Sequence, residues 1–175
     1  MGNTIVFAAR PYYDEDDERH VAARIAAIVV GDPNGSHLER QLASRGIPAT
    51  SCVTTIDSVD DRNVMVVEYR AHTALDTATI EHRTRAAVDA VGATVVTDED
   101  LMRAKACAQS LLDVSVSGLS EFVDAVCGFV SRYGRHDLLD EFRHRIRSLD
   151  RGTVTEVIRD LYVGEEFFVE CVGAQ

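Results

Sequence analysis

The stretch Thr97-Asp98-Glu99-Asp100-Leu101-Met102-Arg103-Ala104-Lys105-Ala106 decides how this chain is read. A threonine followed by three acids is a helix start. The Thr97 hydroxyl is placed to accept an amide hydrogen of the first turn, Asp100 to reach back to the cap, and the acids face the positive end of the helix dipole. Working outward, the helical pattern runs on to about Tyr133 with a break expected at Gly118. It resumes from His136 to Leu149 and from Arg151 to Tyr162, and an earlier helix covers Leu75 to Val91. A last strand, Phe167 to Val172, closes the chain.

The first part of the sequence mixes two periods. Thr4 to Ala9 reads as a strand. Asp14-Glu15-Asp16-Asp17-Glu18 reads as the acid-rich first turn of a helix whose Val21, Ile25, Ile28 and Val29 recur at helical spacing up to Gly31, a dipole device rather than a cation site. Asp32-Pro33-Asn34-Gly35 is a turn, and Ser36 or Asn34 opens a second helix that stops near Gly46-Ile47-Pro48. Ser51 to Ile56 and Val64 to Tyr69 are rich in β-branched residues and flank Asp60-Asp61-Arg62-Asn63, the pattern of an antiparallel hairpin. Strands at both ends and in the middle, with the helices grouped late, predict a single α+β domain over residues 1–175. In it, helices pack on one face of a mixed, largely antiparallel sheet.

Bulk properties narrow the partners. A formal charge of −11 opposes binding to nucleic-acid phosphates or an anionic membrane surface. No apolar stretch approaches the roughly 20 residues of a spanning helix. The start Met1-Gly2-Asn3-Thr4-Ile5-Val6 has no basic lead, and its apolar run breaks at Arg10, unlike a secretory signal. Cys52, Cys107, Cys127 and Cys171 form no C-x-x-C pair, which argues against a structural zinc site. Each sits among apolar neighbours and reads as a buried, reduced thiol, and a cytoplasmic location is expected.

Several words of the sequence carry a family resemblance. The opening stretch resembles the T-x-E-E-L-x-R-A-K segment of the pitrilysin/insulinase (M16) zinc peptidases. Leu149-Asp150-Arg151-Gly152-Thr153-Val154-Thr155-Glu156-Val157 is similar to that family's V-T-x-E-D-V helix start, and Val169-Glu170-Cys171-Val172-Gly173 to its closing strand. Gly35-Ser36-His37-Leu38-Glu39-Arg40-Gln41-Leu42 resembles its S-S-R-L-x-R-x-L helix. The four words stand in the family's order. The resemblance implies one half-domain of the kind that does not bind zinc: a mixed sheet with helices on one side, shortened at its N-terminus relative to a typical half.

The family's chemistry is not written here. The motif H-x-x-E-H places two zinc-binding histidines on one helix face with a glutamate to activate water. The nearest stretch, Ala78-Thr79-Ile80-Glu81-His82, has alanine at the first ligand and reads as a solvated helix face. The other half of active members resembles this chain in position but supplies an arginine and a tyrosine that hold substrate near the scissile carbonyl. Their places fall on Ala43 and Thr50. The same segment leaves Ser36, His37, Arg40, Arg45 and Thr50 as candidate substrate-binding residues, with no catalytic residue and no metal ligand in this chain. His136 and His144, with Asp137, Asp140 and Glu141, point in too many directions around one helix to converge on an ion.

The resemblance thus implies a non-catalytic subunit that pairs with an M16 homologue, or with a second copy of itself, to enclose a peptide. Zinc is expected only in the partner. The alternatives are a degenerate half that serves as a peptide-binding or scaffold module, and a protein repurposed for biosynthesis.

Overall fold

The computed structural model describes residues 2–11, 13, 17–31, 36–59, 62–73, 75–163 and 168–173, with side chains for 13, 17–31, 36–54, 63–71 and 75–163. The chain runs β1 (Gly2–Pro11), α1 (His20–Gly31), α2 (His37–Ser44), β2 (Ala49–Val59), β3 (Arg62–Thr73), α3 (Thr77–Val91), α4 (Asp98–Ser115), α5 (Leu119–Tyr133), α6 (Leu138–Ser148), α7 (Arg151–Tyr162) and β4 (Phe168–Gly173). The strands form one sheet in the order β2-β3-β1-β4. Its three pairings are all antiparallel, so the mixed component expected from the sequence has no parallel pair among the described strands.

Alternation along β3 decides which face is covered. Met65, Val67, Tyr69 and Ala71 are buried, while Val64, Val66 and Glu68 are half-buried and Arg70 is exposed. Helices α1 and α2 pack against β2, and α3 packs against β4. Tyr69 is the largest inward side chain, and its hydroxyl meets the Thr84 Oγ1 of α3 at 2.6 Å. This is an α+β fold with its helices against one sheet face.

At the centre lies α1, ten of whose twelve residues are buried, because it touches α2, α4, α6 and α7 as well as β2. Gly31 ends it where space is shortest. A Cβ there would stand 2.7 Å from the Thr54 backbone nitrogen and 2.7 Å from its Oγ1. Helix α1 starts later than the acidic run predicts. The Asp17 carbonyl accepts the His20 amide at 3.1 Å and the Asp17 carboxylate accepts the Arg19 amide at 2.8 Å, so a turn precedes the helix and no acid lies in its first turn. The Arg19 guanidinium holds the Asp17 carboxyl below its usual range. Asp14, Glu15, Asp16 and the turn Asp32-Pro33-Asn34-Gly35 lie outside the described residues, as do the hairpin tip at Asp60-Asp61 and Phe167.

Three of the later helices, α3, α4 and α7, begin on side-chain caps. Asp76 accepts the Thr79 amide at 2.9 Å, Asp150 accepts the Thr153 amide at 2.9 Å, and Thr97 with Asp100 forms a complete capping box. The break expected at Gly118 separates α4 from α5, which turn 103° from one another. Helix α6 begins at Leu138 rather than His136, and the Arg135 guanidinium ahead of it binds Asp137 at the cap and Glu141 in the first turn.

The expectation of buried cysteines fails in part. Cys52 is buried, and burial pushes its thiol up to about 11, but Cys107 and Cys127 are exposed. The apolar neighbours that suggested burial belong to α4 and α5, helices that present much of their apolar surface to solvent; α5 buries no residue. The Cys171 side chain lies outside the described ones. Among the described residues, no single helix is long and apolar enough to cross a membrane.

Candidate functional site

Ser36 is the cap of α2 and is fully buried. Its hydroxyl donates to the Val30 carbonyl at 2.6 Å and accepts the Glu39 amide at 3.0 Å, which ties the end of α1 to the start of α2. Both roles of the hydroxyl are thereby used within the fold.

His37 and Arg40 follow one helical turn apart. The Arg40 guanidinium donates to His37 Nδ1 at 3.0 Å, and His37 Nε2 stands 3.5 Å from Asp100 Oδ2 on α4. An imidazole that accepts through Nδ1 carries its proton on Nε2, which is buried near the carboxylate without making a hydrogen bond. Burial lowers the His37 pKa first, and the Arg40 charge adds to this, against the attraction of Asp100. The ring is therefore held neutral.

Asp100 is the hub. Its Oδ2 accepts the Thr97 hydroxyl at 2.7 Å and the Thr97 amide at 3.1 Å, while Oδ1 accepts Arg103 at 2.9 Å. Burial would raise its pKa, but the two Thr97 donors, His37 and Arg103 outweigh this and hold the carboxyl below its usual range. The result is a cluster of two guanidinium groups, a neutral imidazole and a carboxylate where α2 and α4 both begin.

The other two candidates are elsewhere. Arg45 folds back over the end of α2, donating to the Gln41 carbonyl at 2.9 Å and Oε1 at 2.6 Å, while Arg83 donates to the Arg45 carbonyl at 2.8 Å. Thr50 is exposed beside the irregularity between Ala49 and Ser51 in β2, and its hydroxyl donates to the Arg70 carbonyl at 3.2 Å. The structure thus joins Ser36, His37 and Arg40 in one place and leaves Arg45 and Thr50 occupied with the backbone. Thr97, Asp100 and Arg103 belong to the cluster but read in the sequence as a helix start and part of a family word, not as site residues. No spacing signal links positions 37 and 100.

The arrangement suits polar contact rather than bond cleavage. The Ser36 hydroxyl makes its bonds to Val30 and Glu39 instead of to an imidazole, so no activated nucleophile results. Among the described residues, no three His, Cys, Asp or Glu side chains lie together as a metal site. In the Ala78-to-His82 stretch, Glu81 is half-buried and His82 exposed on α3.

No protein-family profile and no curated protein matches the sequence. Solved structures do match. The inactive peptidase domain of a presumed zinc protease from Bordetella parapertussis superposes with a TM-score of 0.86 at 14% identity, over 100% of this chain and 92% of that one. The M16 peptidase inactive domain from Pseudomonas fluorescens gives 0.75 at 14% identity, over 98% of this chain and 41% of that one. A chain of Complex III2 from Candida albicans gives 0.76 at 12% identity, over 98% of this chain and 43% of that one. The chain thus has the fold of an inactive M16 peptidase half-domain, and it spans about two-fifths of the second and third of these chains.

Proposed function

We propose that this chain is a non-catalytic M16-type subunit that pairs with a zinc-bearing homologue and contributes one wall of a peptide-processing chamber. The observation that carries the reading is the match, over nearly the full length of both chains, to a domain described as the inactive peptidase domain of a presumed zinc protease. An inactive half acts through a partner, and the exposed apolar surface supports pairing. Of the ten large hydrophobic residues exposed among the described ones, seven lie on α4 and α5, with Leu119 at 82% and Val114 at 68% exposure. In this reading zinc resides in the partner, a cytoplasmic setting fits the exposed thiols of Cys107 and Cys127, and Arg40 with His37 meets the peptide.

Arg45 and Thr50 favour a second reading. Both face back into their own chain, as expected of a half that has become a scaffold module. The likeness to a chain of Complex III2 is compatible with that role. Co-expression with an H-x-x-E-H homologue from the same source decides between them. Recovery of a stable pair that cleaves an unstructured peptide, with neither chain active alone, supports the subunit. A stable pair without cleavage supports the scaffold, and failure of the chain to associate with any homologue or copy of itself overturns both.

A further inference from the structure

A cavity of about 370 Å³ opens between α1, α4 and α6, away from the α2 cluster, within the roughly 300–1,000 Å³ of small-molecule sites. It exists because Ala27 and Ala108 stand on its walls where larger residues would fill it. Ile25, Ile28, Leu112 and Ile146 make the rest of it largely aliphatic, and Phe142 adds the face of a ring that also stacks on His20 at 5.7 Å.

Three polar residues line this apolar slot; the Ser115 hydroxyl donates to the Leu112 carbonyl at 2.8 Å, which leaves two. Arg24 lines it, is exposed, and forms no ion pair or hydrogen bond with any described residue. Thr54 also lines it, and its Oγ1 is buried with no hydrogen-bond partner. Arg24, Ile28 and Gly31 recur on one side of α1, and Thr54 stands against Gly31. At 1.5 Å per residue, the seven steps from Arg24 to Gly31 cover about 10 Å. A saturated chain of about eight to ten carbons has this length, given C–C bonds near 1.5 Å.

We propose that this cavity binds a medium-chain aliphatic carboxylate, with its head on Arg24 and its tail between α1, α4 and α6 toward Thr54. A lone guanidinium presents a planar fork that matches one carboxylate. A phosphate dianion would need more positive charge than a chain of net charge −11 gathers here. An extended peptide would bring backbone amides and carbonyls into a slot with few polar partners for them.

The test is calorimetric titration of the whole chain with decanoate, below its micellar concentration, and with decanol. Saturable binding of one decanoate per chain is expected, with decanol weaker by about tenfold for lack of the charged contact. Arg24→Gln, at an exposed position that leaves the fold intact, should lower decanoate affinity about tenfold and leave decanol unchanged. Ala108→Phe should block both ligands, with folding checked by circular dichroism. Absence of saturable decanoate binding overturns the proposal. So does equal decanoate affinity in the wild type and Arg24→Gln, which stays decisive even where Ala108→Phe fails to fold.

Discussion

His37 Nε2 lies 3.5 Å from Asp100 Oδ2, a contact that brings the first turn of α2 beside the first turn of α4. The same carboxylate closes the Thr97 capping box, so one side chain orders a helix end and positions an imidazole. Its removal should therefore cost more than a cap. Thr97→Ala is expected to destabilise the protein by about 1 kcal/mol, the usual loss for a cap residue. Asp100→Ala should exceed this, because it also leaves His37 and Arg103 without their carboxylate. Urea unfolding of both variants and the double mutant measures the difference; equal losses in the two single variants would show that the His37 contact contributes nothing.

A pH dependence follows from the same pair. In the unfolded chain His37 titrates near the ordinary value of 6.5, whereas in the folded protein its pKa is lower. Above 6.5 both states are neutral there, and the His37 contribution is fully present. As pH falls below 6.5 the unfolded chain takes up the proton first, so stability declines until the lower folded value is passed. Urea midpoints measured from about pH 7.5 down to about pH 5 should fall less steeply in His37→Gln than in the wild type. Superimposable profiles would sink this.

Two glycines should respond in opposite directions to alanine. In α5, Gly128 has open space where a Cβ would go, and alanine there should stabilise the helix by about 0.5–1 kcal/mol. A Cβ added at Gly31 would stand 2.7 Å from the Thr54 backbone nitrogen, a clash that only a shift of α1 or β2 relieves, so Gly31→Ala should destabilise. Thermal melts of the pair are the check, and a stabilised Gly31→Ala would mean that α1 and β2 are not so closely apposed.

Much of the fold was legible in the sequence because its signals are local. The Thr97 box, the helix from Arg151 and the strand through Val64 to Tyr69 each rest on signals within a few residues, and each appears where its pattern placed it. Part of what failed depended on distant neighbours. The apolar residues around Cys107 and Cys127 gave no sign that α4 and α5 diverge by 103° and leave their outer sides uncovered. The start of α1 at His20 rested on bonds that the Asp17 turn makes, which compete with helix for the same acids. The site was legible only in part. Its α2 members share a turn of helix, but Asp100 reaches them through tertiary packing.

The uncovered side of α5 gives a prediction about association. Phe122 and Val123 are 43% and 46% exposed on a helix with no buried residue. Replacement of both by aspartate should leave the melting temperature nearly unchanged, since little packing is lost, and should abolish pairing if α5 forms the contact. Sedimentation of the variant with the homologue, or alone if the chain self-associates, reads this out. Undiminished association would place the contact elsewhere.

Arg40 and Arg45 separate the two functional readings. Both occupy the helix that resembles the family's substrate-holding segment, but their surroundings differ. Arg40 is exposed and touches the His37 ring, while Arg45 is bound to Gln41 and its own helix end. If the chain lines a peptide chamber, Arg40→Ala should weaken peptide binding by about 1–3 kcal/mol, the cost of a lost charged hydrogen bond. Arg45→Ala should leave peptide affinity unchanged and act on stability, because its removal frees the Gln41 carbonyl at the helix terminus. Calorimetry with an unstructured peptide, in complex with the partner, measures the first, and urea unfolding the second. Wild-type peptide affinity in Arg40→Ala would mean that α2 holds no substrate, and the scaffold reading would then take precedence.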